Sequence, residues 1–137
     1  MYFLNLKDKI LGKIYIKQKD VYFKYSTEEQ FTGEYWLDGK KIYTTIISWT
    51  DQPTGVYNRN HNIQNIDKII SYEVTCRAQG NGGLWFFPVV YYGNNGTSGT
   101  FYDTQFQVNK TQISGISNCS WQGYDFEAKI KYTKATE

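Results

Sequence analysis

The stretch Tyr124-Asp125-Phe126-Glu127-Ala128-Lys129-Ile130-Lys131-Tyr132-Thr133 decides the fold class, because apolar and polar side chains alternate through it without a break. Successive side chains of an extended chain point to opposite faces. As a strand, this segment carries one apolar face (Tyr124, Phe126, Ala128, Ile130, Tyr132) and one polar face (Asp125, Glu127, Lys129, Lys131, Thr133). A helix would distribute the same residues around its circumference, so the pattern predicts a half-buried β-strand. Ile70, Tyr72, Val74 and Cys76 alternate in the same way with Ser71, Glu73, Thr75 and Arg77, up to Gly80-Asn81-Gly82-Gly83, a cluster that supplies positive-φ turn residues. No stretch sustains the 3.6-residue period of an amphipathic helix.

Outward from these two strands, Leu84 to Tyr92 is apolar on both faces. That suits a strand covered on both sides, by a second sheet or by a neighbouring subunit. Pro88 lacks a ladder donor and requires an edge, a bulge or a break there. Gly93 to Gly99 forms a polar loop, and Thr100 to Val108 resumes as a strand with Tyr102, Thr104, Phe106 and Val108 on one face, which makes a hairpin. Asn109-Lys110-Thr111 reads as a turn, Gln112 to Ser117 as a short strand and Asn118 to Gly123 as a loop. Ile42 to Trp49 is a further strand. Asp51 to Asn65 is expected to be a long polar loop that contains Pro53, Gly55 and His61. The expected fold is all-β: an antiparallel β-sandwich, jelly-roll-like.

A chain of 137 residues is the size of a single compact domain. Its 13 Tyr, 8 Phe and 4 Trp favour pleated surfaces over helices. A net charge of +2 is too small to gather a polyanion, so nucleic acid is not expected as a partner. Cys76 and Cys119 are too few for a disulfide scaffold and are expected to be free thiols. Lys7, Asp8 and Lys9 interrupt the apolar start of the chain before a signal-peptide core or a membrane span is reached, so membrane insertion is not expected. Residues 1–24 interleave lysines with Ile10, Leu11, Ile14, Ile16 and Val21. They read either as ordinary strands with a solvated lysine face or as a neck of attachment strands, and are separated on that basis from a head domain at 25–137.

The run Tyr25-Ser26-Thr27-Glu28-Glu29-Gln30, followed by Gly33, Trp36, Asp38, Gly39, Lys40, Ile42 and Tyr43, resembles a motif of C-terminal tip modules in phage and prophage tail-fibre and receptor-binding proteins. The later order is similar too: an Ile-rich strand near Ile66 to Val74, an aromatic run ending at Pro88, and a close on Ile130-Lys131-Tyr132-Thr133-Lys134. The resemblance implies a small β-domain, a homotrimer, at the distal end of a virion appendage, with no catalysis. It also implies residence in the virion, with residues 1–24 docking on other appendage proteins. Independently of it, Asp38-Gly39 is a strong hairpin-turn pair that places Trp36 and Tyr43 on its two arms. Trp36, Tyr43, Trp85 and Phe87 are candidates for the core or the trimer interface.

The chemistry-bearing residues are sparse. His61, the only histidine, lies between Asn60 and Asn62 and reads as a surface residue, so no metal site is expected and no cofactor is implied. Glu28 and Glu29 are adjacent, point to opposite faces of a strand and cannot act as a paired acid and base. A glycan depolymerase would need two carboxylates across a cleft, drawn from Asp103, Asp125 or Glu127, and is disfavoured against a non-enzymatic reading. Sugar recognition needs flat rings for the apolar sugar face and amides or carboxylates for its hydroxyls, displayed on loops. Three groups fit that description: Tyr91, Tyr92, Asn94 and Asn95 at the hairpin tip; Trp49, Asp51, Tyr57, Asn58 and Arg59; and Trp121 with Gln122. The expected partner is a host-surface glycan or protein. The alternative is a purely structural component that caps or trimerises an appendage.

Overall fold

The computed structural model describes residues 24–80, 82–94 and 99–136. The expected neck at residues 1–24 lies outside the described residues except for Lys24, which is in no strand, and the expected hairpin-tip loop lies outside them at 95–98. All regular structure among the described residues is β: β1 (Gln30–Tyr35), β2 (Lys41–Gln52), β3 (Gly55–Asn60), β4 (Ile66–Ala78), β5 (Leu84–Phe86), β6 (Val89–Asn94), β7 (Gly99–Val108), β8 (Gln112–Ser117) and β9 (Trp121–Lys134). They form two antiparallel sheets, β1-β2-β9-β4-β5 and β3-β8-β7-β6.

The alternating stretch that set the fold class becomes β9, at the centre of the five-stranded sheet between β2 and β4. Phe126, Ala128, Ile130 and Tyr132 are completely buried, while Glu127 stays exposed. Val74 and Cys76 extend this inner face across β4, and Val108 and Ile113 meet it from the opposite sheet, so one core lies between the two layers in a sandwich-like arrangement. Stacking adds direction to this burial: Phe87, Trp49 and Phe106 surround Phe126 at centroid distances of 5.6, 5.4 and 5.9 Å.

Local chemistry sets the turns. Gly39 adopts φ +83° and donates its N–H to Trp36 O, and Asp38 Oδ1 accepts from Lys40 N, which closes the β1–β2 hairpin where the Asp-Gly pair predicts it. Asn109 Oδ1 accepts from the amides of Thr111 and Gln112 at the β7–β8 turn. Pro88 breaks the long apolar run: β5 ends in the five-stranded sheet and β6 begins in the other, across a cis Phe87–Pro88 bond.

Four expectations change. Asp51 to Asn65 is not one polar loop: β2 continues to Gln52, and after Pro53-Thr54 the chain crosses to the second sheet as β3. The alternation in β3 was hidden because its inward residues are Tyr57 and Arg59 rather than aliphatic ones. Asn118 to Gly123 is likewise shorter than a full loop, since β9 begins at Trp121. On β4 a register shift between Ile69 and Ser71 places Ile69, not Ile70, opposite Tyr132 and against the core. His61 is buried rather than superficial, 4 % exposed. Its Nδ1 accepts from Ile63 N at 3.1 Å, so Nε2 carries the proton and donates to Asn109 O at 2.8 Å. An imidazole with both nitrogens paired is stable in the interior.

Candidate ligand-binding site

Two constellations arise where the inner faces of the sheets run out, and they adjoin where Gln52 pairs with Trp121. At the β5–β6 edge, Trp85 from β5, Tyr91 from β6, Tyr102 from β7 and Trp121 and Tyr124 from β9 line a recess of about 310 Å³, completed by Cys119 and Ser120. Strand alternation brings in Trp85, Tyr91, Tyr102 and Tyr124, and the register shift opposite Gly123 turns Trp121 to the same side. Tyr91 lies opposite Tyr102 with the rings stacked at 6.1 Å, and Trp85 meets Tyr91 edge-on at 5.9 Å. Trp121 forms the floor, edge-on to Trp85 at 5.6 Å and to Tyr124 at 5.1 Å. Its indole Nε1 donates to Thr104 Oγ1, which is itself bonded to Ser117 Oγ. The floor is thus rigid and its polar atom satisfied, while Tyr91 at the rim is about half exposed.

At the β2–β3 edge, the Arg59 guanidinium carbon lies 4.6 Å from the Trp49 ring centroid and 4.7 Å from that of Tyr57. Arg59 Nη2 donates to Gln52 Oε1 at 2.9 Å. Burial lowers the Arg59 pKa from its usual value, and Tyr57 opposes that shift. A guanidinium remains charged after any such shift.

The sequence-derived candidates therefore divide. Trp49, Tyr57 and Arg59 come together. Asp51 and Asn58 do not join them: Asp51 Oδ1 accepts from Gly123 N, and Asn58 is exposed on β3 between the inward Tyr57 and Arg59. Tyr91 and Trp121 belong to one recess rather than two sites, and Trp121 is a buried floor, not a loop residue, because the strand it opens is paired with Gln52. Gln122 beside it is exposed. The side chains of Tyr92 and Asn94, and all of Asn95, lie outside the described residues. Trp85 and Phe87 pack against the core, Trp85 also walling the recess; Tyr43 stacks on Tyr132 at 6.3 Å; Trp36 is half-buried at the hairpin turn. Sequence reasoning missed Tyr102 and Tyr124 as recess residues, since alternation marks them as inward but not as uncovered.

The carboxylates considered for hydrolysis do not converge. Asp103 lies on the outer face of the four-stranded sheet opposite Val90, whereas Asp125 and Glu127 lie on the outer face of the five-stranded sheet. Asp125 accepts from Thr50 Oγ1 and Gln79 Nε2. Glu127 shares a shallow groove with Glu73, Lys129 and Tyr25, in which Glu73 pairs with Lys129 at 3.2 Å. Among the described residues no group of three or more His, Cys, Asp or Glu side chains is placed to hold a metal ion.

No protein-family model, no curated protein and no solved structure matches the chain.

Proposed function

We propose that the chain is the tip module of a phage tail fibre or related virion appendage, and that it binds a host-surface glycan in the aromatic recess. The single observation that carries the binding reading is the recess itself: five aromatic side chains from four strands, with a hydroxyl at Ser120 and a partly exposed Tyr91 at its mouth. Rings of this kind stack against the apolar face of a pyranose, and tyrosine hydroxyls at the rim supply polar contacts. A volume of about 310 Å³ admits one or two sugar units. The motif at Tyr25 to Tyr43 supports the appendage assignment, with a jelly-roll-like head, assembly as a homotrimer, attachment to other virion proteins through residues 1–24, and action by adhesion rather than catalysis. Three copies bound to one surface compensate weak affinity at each recess.

A second reading, a structural component that caps or trimerises an appendage with no ligand of its own, is favoured by one observation. Val56, Val90, Phe101 and Ile116 are exposed together on the outer face of the four-stranded sheet, a surface that another subunit can cover. A glycan array probed with the purified protein and with Tyr91→Ala separates the two. Binding lost in the variant supports the recess, and an array silent for an intact trimer leaves the structural reading. Mass measurement in solution tests assembly, which a stable monomer refutes.

A further inference from the structure

The β2–β3 edge carries a charge arrangement that packing alone does not call for. All five ion pairs among the described residues engage lysines, and none engages Arg59. Its contacts are two aromatic rings and a neutral amide oxygen. The rings lie against the guanidinium, and Gln52 takes one of its five N–H donors, so donors remain for a further partner. Two more donors idle next to it. Gln52 Nε2, on a side chain 1 % exposed, has no acceptor, and neither has the buried Trp49 Nε1. Buried donors without acceptors are destabilising, and native structures keep few of them. A half-buried cation and two unsatisfied donors clustered at one sandwich edge form a site of one polarity, short of an acceptor.

We propose that Arg59, with Trp49, Gln52 and Tyr57, is an oxyanion-binding site that takes a carboxylate or phosphate group; that the group belongs to a cell-surface polymer rests on the function proposed above. The guanidinium fork matches either oxyanion in a bidentate geometry that a lysine cannot reproduce. The flanking rings partly bury the guanidinium, and reduced access of water strengthens its charged hydrogen bonds. A neutral sugar lacks the charge to satisfy the site. The site shares none of these four residues with the aromatic recess, whose floor Trp121 is the cross-strand neighbour of Gln52.

The test is a titration of the whole chain, labelled with ¹⁵N, against glucuronate, glycerol 1-phosphate and, as neutral control, glucose. The expected result is a saturable shift of the Trp49 indole N–H and the Arg59 Nε–H with at least one anion and none with glucose. Tighter binding of glucuronate assigns the site to acidic sugars, and tighter binding of glycerol phosphate assigns it to phosphodiester polymers. Arg59→Lys keeps the charge but loses the fork, and weakens binding on the order of ten-fold. Tyr91→Ala leaves the response unchanged, so failure of glycan binding at the recess and failure here are separate results. Absence of a shift with both anions, an equal shift with glucose, or undiminished binding by a folded Arg59→Lys protein overturns the proposal. Where that variant does not fold, the titration of the unaltered chain decides.

Discussion

Gly115 faces Gln52 so closely that a β-carbon added to it would stand 2.5 Å from Gln52 Nε2 and 2.9 Å from Phe106 Cε1. Neither neighbour can retreat freely, since Gln52 is buried and held by Arg59, and Phe106 is packed against Trp49, Phe87 and Phe126. Gly115→Ala is therefore expected to destabilise the fold by about 1–3 kcal/mol through overpacking. It should also displace Gln52 from Arg59 and weaken the oxyanion response in the same protein. Urea denaturation measures the first effect, and an unchanged midpoint would show that the edge is looser than these contacts indicate.

His61 joins the segment after β3 to the β7–β8 turn through two bonds, its ring to Asn109 O and its own amide to Thr111 O, while its ring also accepts from Ile63 N within the segment. Leucine in its place fills similar space but leaves the Asn109 carbonyl and the Ile63 amide without this partner at part-buried positions. His61→Leu should cost about 1–3 kcal/mol. Equilibrium unfolding checks this, and a variant as stable as the parent would return His61 to the superficial role that its Asn-rich surroundings suggest.

How far each element was legible depends on whether its pairing was visible locally. β9 could be read because its buried face is uniformly apolar and its outer face uniformly polar from Asp125 to Lys131. β3 could not, since its outward residues include Val56 and its inward ones are Tyr57 and Arg59, the reverse of the usual polarity. Asn118 and Gly123 give the sequence around Trp121 the look of a loop; only pairing with Gln52 shows that a strand begins there. The recess is the least legible part. Tyr91, Tyr102 and Trp85 are inward by alternation, yet which inward rings remain uncovered depends on where two sheets end relative to each other, a non-local property. The Arg59 cluster is half legible: Trp49, Tyr57 and Arg59 stand together in the sequence reading, but Gln52 is missing from it, and separating Asp51 and Asn58 requires the strand that the sequence disguises.

Burial holds two proton-bearing groups neutral, and both predict a loss of stability in alkali. Desolvation raises the Cys76 thiol from 9.0 to about 12. Desolvation, followed by the hydrogen bond to Glu29, raises the Tyr132 phenol above its usual 10.0. A folded-state pKa above the unfolded one favours the protonated fold. The contribution is complete below the unfolded pKa and disappears as pH rises towards the folded one. Stability should fall from about pH 9 upward, first through Cys76 and then through Tyr132. Cys76→Ala should remove the early part of that fall, as read from urea midpoints between pH 8 and 11. The same burial makes the thiols unequal: one equivalent of a thiol reagent, at the partly exposed Cys119, should react with the folded protein and two after denaturation. Rapid labelling of Cys76 in the folded state would contradict its place in the core.

Asp51 and Gly123 together bend the junction between β2 and β9 that carries Trp121 into the recess. Asp51 has φ +67° and Gly123 φ +80°, the register shifts between Thr50 and Gln52, and Asp51 Oδ1 accepts the Gly123 amide proton at 2.7 Å. A left-handed backbone costs a residue with a β-carbon about 1–2 kcal/mol unless, as with Asp or Asn, its side chain bonds locally. Three variants separate strain from the hydrogen bond. Asp51→Asn retains an acceptor oxygen and the left-handed tolerance, and should be close to the parent. Asp51→Gly relieves the strain but loses the bond, and should be intermediate. Asp51→Ala loses the bond and keeps the strain, and should be the least stable, by about 1–2 kcal/mol relative to Asn. If alanine and asparagine prove equally stable by thermal unfolding, the bulge is held by its neighbours and not by this residue. If alanine is the weakest and Trp121 fluorescence also changes, the Asp51–Gly123 bond is what fixes the floor of the recess.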